Sequence, residues 1–114
     1  AASDVYKRQR EDHTLGNISL LSRYKHHMGL EVTMITDYGW FVAAQGDACF
    51  EAFPQQQVSI FNEDCTVLTS SQLKWDAYPY TALWQGTLNE ALNNAFELTA
   101  NGNYLVFRTF EAKG

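Results

Sequence analysis

The chain has 114 residues, 46% hydrophobic and 14% aromatic, with a net charge of −5 and only two prolines. That composition fits one domain with a packed core and excludes a disordered chain. Beyond the first nine residues the bases (Arg10, Arg23, Lys25, Lys74, Arg108 and Lys113) are scattered, which argues against nucleic-acid binding, and no apolar run is long enough to span a bilayer.

Residues 1–9, Ala1-Ala2-Ser3-Asp4-Val5-Tyr6-Lys7-Arg8-Gln9, match the translation of a transposase adapter used in DNA sequencing. They are expected to be a non-native tail from environmental DNA, with 10–114 as a single α+β domain whose native N-terminus is missing. Residues 13–28 predict an amphipathic helix, since Leu15, Ile18, Leu21, Tyr24 and Met28 recur at spacings of three and four and Gly29 suits its end. The period then becomes two. Leu30–Thr36 and Trp40–Gln45, around the turn residues Asp37-Tyr38-Gly39, predict a β-hairpin. Cys49–Phe53, stopped by Pro54, then Gln57–Phe61 and Cys65–Thr69 predict short strands of an antiparallel meander. Ser70–Gly86 is irregular and holds Trp75, Tyr78, Tyr80 and Trp84. Residues 87–100 predict a second helix: Thr87-Leu88-Asn89-Glu90 has capping-box spacing, and Leu88, Ala91, Leu92, Ala95 and Leu98 share a helical face. Tyr104–Phe110 is apolar on both faces except at Arg108, as an interior strand would be. The expected fold is α+β, a twisted antiparallel sheet of about five to six strands with two helices packed on one face.

Chemistry-bearing motifs are sparse. Glu11–Asn17 resembles, over seven residues, the opening motif of the small assembly subunits of archaeal and eukaryotic RNA polymerases. The tyrosine and His-Pro pair of that family are missing, so no function is carried over. His13, His26, His27, Cys49 and Cys65 lack the spacing of a metal site, and the two cysteines read as reduced thiols rather than a bridge. No nucleophile motif, phosphate loop or telling carboxylate pair is present, so catalytic residues, metal and cofactors are all expected to be none.

The aromatic residues are the stronger signal. Tyr38 and Trp40 flank a turn, while Trp75, Tyr78, Tyr80 and Trp84 sit in a long connection, where unburied rings make binding surfaces. Arg108 on an apolar strand needs an anionic ligand or an internal partner such as Glu31 or Asp76. With His27, these form the candidate ligand- or partner-binding set. The expected function is a small acidic, cytoplasmic, non-enzymatic binding protein, a viral accessory inhibitor of a host protein. The alternatives are an oligomeric binder or sponge for a nucleotide signal, and an unrecognised enzyme. The expected partners are thus a protein or a small nucleotide, with no nucleic acid, no membrane and a possible homo-oligomer.

Overall fold

The computed structural model describes residues 16–112 except 19, 22, 24 and 26–32. The tail 1–9, the histidines 13, 26 and 27, and Leu30–Val32 lie outside the described residues.

Among the described residues eight strands run in the order β1 (Thr33–Ile35), β2 (Gly39–Gln45), β3 (Ala48–Glu51), β4 (Gln56–Asn62), β5 (Leu68–Ser71), β6 (Asn89–Glu90), β7 (Ala95–Ala100) and β8 (Asn103–Ala112). They form two antiparallel sheets: five strands in the order β1-β2-β8-β4-β6, and three in the order β3-β7-β5. The expected single sheet carrying two helices is therefore incorrect, as is the meander: after β2 the chain passes to the other sheet.

The reason lies in the two faces of the larger sheet. Val58, Ile60, Tyr104 and Val106 point one way and are fully buried against Phe50, Leu68, Phe96 and Leu98 of the smaller sheet. Ala43 and Leu105 point the other way and pack with Leu21 and Ile18. The described residues between 16 and 25 are helical. A sheet apolar on both faces must be covered on both, and here a second sheet covers one side and these helical residues the other. β8 holds the interior place between β2 and β4.

The helix expected over 87–100 does not form. That stretch holds β6, a turn and β7, whose burial alternates: Phe96 and Leu98 face inward, while Glu97 and Thr99 are exposed. Leu88 and Leu92, counted toward the apolar helical face, are 69% and 50% exposed. Asn89, Asn93, Asn94 and Thr99 are poor helix formers, and pairing of Ala95–Ala100 with both β3 and β5 buries more apolar surface than one helical stripe could.

Gly46 makes the handover between sheets possible. Its φ of +71° is open to glycine and costly for other residues. Its carbonyl accepts the Tyr104 hydroxyl at 2.9 Å, tying the reversal to the core.

Candidate functional site

The long connection between β5 and β6 packs onto the core between the sheets. Leu73, Ala77 and Tyr80 turn inward and join the core. Side chains pin the backbone around them. Ser70 Oγ accepts the Ala77 N–H at 2.8 Å, and Asn62 Nδ2 donates to the Tyr80 carbonyl at 3.0 Å. A single 3₁₀ turn, Leu83–Gly86, follows. Gln85 Oε1 holds its start by accepting the N–H groups of Thr81 and Ala82 at 2.8 and 3.0 Å.

Between this connection and the residues leading into β6 lies a cavity of about 340 Å³, lined by Trp75, Asp76, Tyr78, Tyr80, Gln85, Gly86, Thr87, Leu88 and Asn89. Its volume is of the order taken by a small ligand. Two of its rings, Tyr78 and Tyr80, meet edge-on with centres 4.5 Å apart. Burial pushes the Tyr80 hydroxyl up, and the neighbouring Tyr78 adds to this, so the phenol stays neutral. Trp75 is half exposed, and the Lys74 ammonium lies 4.7 Å from its ring centre. A flat ligand would meet aromatic faces, the Gln85 amide and the Asp76 carboxylate. This donor and acceptor set suits a heteroaromatic cation.

The structure therefore brings together three of the aromatic residues singled out in the sequence, Trp75, Tyr78 and Tyr80. Trp84 stands on the 3₁₀ turn, 73% exposed, and does not line the cavity. Tyr38 lies elsewhere, at the β1–β2 turn, beside a second hollow it shares with Phe107, Phe110 and Glu111. Trp40 is half-buried on β2 and stacks on Phe110 at 5.4 Å. His27 lies outside the described residues.

Arg108 is a structural residue of the sheet interface. Its guanidinium carbon sits 4.8 Å from the Trp40 ring centre and 5.4 Å from that of Phe50, and Nη1 donates to the Glu51 carbonyl at 2.8 Å. The expected partner Asp76 lines the cavity instead, and Glu31 is outside the described residues. Burial lowers the Arg108 pKa, while the Glu51 carboxylate acts in the opposite direction.

Gln85 and Asn89 escaped the sequence reading as site residues, and Asp76 entered it only as a partner for Arg108. Asn89 was hidden because Thr87–Glu90 has the spacing of a helix cap. Both cysteines are free thiols, Cys49 exposed and Cys65 buried. No cluster of three or more His, Cys, Asp or Glu side chains that could hold a metal occurs among the described residues. Nor, among those residues, is any helix long and apolar enough to cross a membrane.

A family model described as "Thiamin pyrophosphokinase, substrate-binding domain" matches residues 39–107. A comparison with curated protein sequences finds no match. Among solved structures, thiamin pyrophosphokinase from Bacillus subtilis is similar with a TM-score of 0.75 at 17% identity, covering 90% of this chain and 52% of that one. The protein of the same name from Candida albicans has a TM-score of 0.75 at 13% identity, covering 90% and 41%. The yeast protein has a TM-score of 0.71 at 15% identity, covering 89% and 37%. The chain thus spans about half or less of the length of these proteins. At such identities the likeness shows a shared fold. These matches overturn the expected viral inhibitor of a host protein and the nucleotide sponge, because they place the chain among domains of an enzyme family. With the family model matching well over half of its length, the chain belongs to the thiamin pyrophosphokinase substrate-binding domain family.

Proposed function

We propose that this chain supplies the thiamin-binding part of a pyrophosphokinase, with the vitamin's rings held in the cavity between Trp75–Tyr80 and Gln85–Asn89. The observation that carries this reading is the cavity's lining: three aromatic side chains beside one carboxylate, Asp76. Thiamin joins an aminopyrimidine to a positively charged thiazolium. The Trp75 and Tyr78 rings offer π-faces to such a cation, and Asp76 offers it a counter-charge. Gln85 offers a hydrogen-bonding amide to the pyrimidine edge. The role of these residues is to hold and orient the acceptor alcohol. Binding the nucleotide that donates the pyrophosphate falls to the part of the protein for which the longer relatives have room. The two free thiols suit a reducing, cytoplasmic setting.

Titration of the purified chain with thiamin, followed by tryptophan fluorescence, tests this reading. Saturable quenching is expected. Trp75→Ala should weaken binding at least about tenfold and Asp76→Asn about threefold, equivalent to about 1.4 and 0.7 kcal/mol. Trp40→Phe, away from the cavity, should leave the affinity unchanged. An absence of saturable quenching at millimolar thiamin overturns the proposal.

A further inference from the structure

Asn89 treats Trp75 as if it were the next residue of a strand. Its Oδ1 accepts the Trp75 N–H at 3.1 Å, and its Nδ2 donates to the Trp75 carbonyl at 2.8 Å. The same Oδ1 also accepts the Glu90 N–H at 2.8 Å. The side chain is 4% exposed. Around it the main chain makes a short ladder of its own: Lys74 N–H donates to the Glu90 carbonyl at 2.8 Å, and Leu92 N–H to the Gln72 carbonyl at 2.9 Å. That ladder ends at Lys74, and the Asn89 amide extends it by one residue, to the one that carries the indole. The preceding residue, Leu88, has a φ of +62° and a largely exposed side chain, and its N–H donates to Ser59 Oγ at 3.3 Å. A leucine held left-handed while its side chain stays in solvent gains nothing from packing. This backbone twist directly precedes the inward-facing Asn89.

We infer that Asn89 is a positioning residue for the binding site: its two-pronged grip on the Trp75 backbone holds the indole in place as a preformed wall of the cavity. Trp75 is half exposed, so core packing cannot do this alone. A ring fixed before the ligand arrives costs less entropy to order on binding. The inference rests on the reading of this cavity as the thiamin site.

A double-mutant cycle tests it. In Asn89→Asp the Oδ1 acceptor remains, but the donor facing the Trp75 carbonyl becomes a second acceptor. Asn89→Ala removes both. Each should weaken thiamin binding about tenfold in the unsubstituted chain and have little effect in a Trp75→Ala background, because the grip acts only through that ring. Equal losses in both backgrounds would mean that Asn89 touches the ligand directly or merely stabilises the fold, and would overturn the inference. A second measurement needs no ligand. In a chain carrying Trp40→Phe and Trp84→Phe, time-resolved anisotropy reports Trp75 alone. Asn89→Asp should speed its ring motion, and unchanged anisotropy would also overturn the grip. Failure of the unsubstituted chain to bind thiamin would sink the thiamin reading and leave the anisotropy comparison to decide the role of Asn89.

Discussion

At the scale of single residues, three of the described residues other than glycine hold a costly left-handed backbone. Gln55, Gln72 and Leu88 have φ of 69°, 68° and 62°, a region that disfavours any residue carrying a Cβ. Gln72 and Leu88 flank the segments that meet at the candidate site. Gln55 is exposed and serves a turn whose N–H donates to the Ala91 carbonyl at 2.9 Å. Gln55→Gly should therefore stabilise the fold by about 0.5–1 kcal/mol, read as a rise of a few degrees in melting temperature. Arg108 shows what a sequence does and does not reveal at this scale. A lone arginine on an apolar strand signals a special contact, but its partners proved to be two rings and a backbone carbonyl from β2 and β3, too distant in sequence for any local pattern to announce. Because the planar guanidinium fits between Trp40 and Phe50, Arg108→Lys should cost about 1–2 kcal/mol by urea unfolding although the charge is kept.

At the scale of elements, the hairpin β1–β2, the strand β4 and the final strand β8 were legible because alternation and turn chemistry agree there. The segment 87–100 was not. Its small and apolar residues satisfy a helical period, and Thr87–Glu90 mimics a cap. The alternation of Phe96, Leu98 and Ala100 against Glu97 and Thr99 fits a strand equally well, and only long-range pairing with β3 and β5 decides between them. The same misreading concealed Asn89, whereas the exposed rings of the β5–β6 connection were visible as a cluster without a stated geometry. Gly86 ends the 3₁₀ turn where the chain passes β4. A Cβ there would strike the Ile60 carbonyl and lie 2.8 Å from the Tyr80 ring. Gly86→Ala should destabilise by about 3 kcal/mol, through a strained approach to a strand that cannot move. It should also weaken thiamin binding, because Tyr80 forms part of the cavity wall.

For the whole molecule, the decisive feature is a sheet that needs cover on both faces. The sequence carries that information in strands such as Trp40–Ala44 and Tyr104–Phe107, which are apolar at successive positions rather than alternate ones. It does not say that the second cover is another sheet. Burial between the sheets has a consequence at high pH. The Tyr104 hydroxyl is pushed up to about 12 by desolvation, aided by Cys65 and Asp47, and burial also raises the Cys65 thiol. Such groups favour the folded state while protonated. The Tyr104 contribution is complete below the ordinary tyrosine value of 10 and is lost as the pH climbs toward 12, and that of Cys65 is complete only below the ordinary thiol value of 9, because in each case the unfolded chain releases its proton first. The urea midpoint should therefore fall steeply between pH 10 and 12. Tyr104→Phe should flatten that fall while lowering the midpoint at neutral pH, since the Gly46 carbonyl loses its donor.

The two sulfurs stand in opposite situations, Cys49 open on the edge strand β3 and Cys65 buried within the β4–β5 connection. A thiol-reactive dye should thus label one site within seconds and the other only when that corner of the protein opens. The slow phase, followed with and without thiamin, would time the opening of the sandwich and give the chain a built-in stopwatch for its own local unfolding.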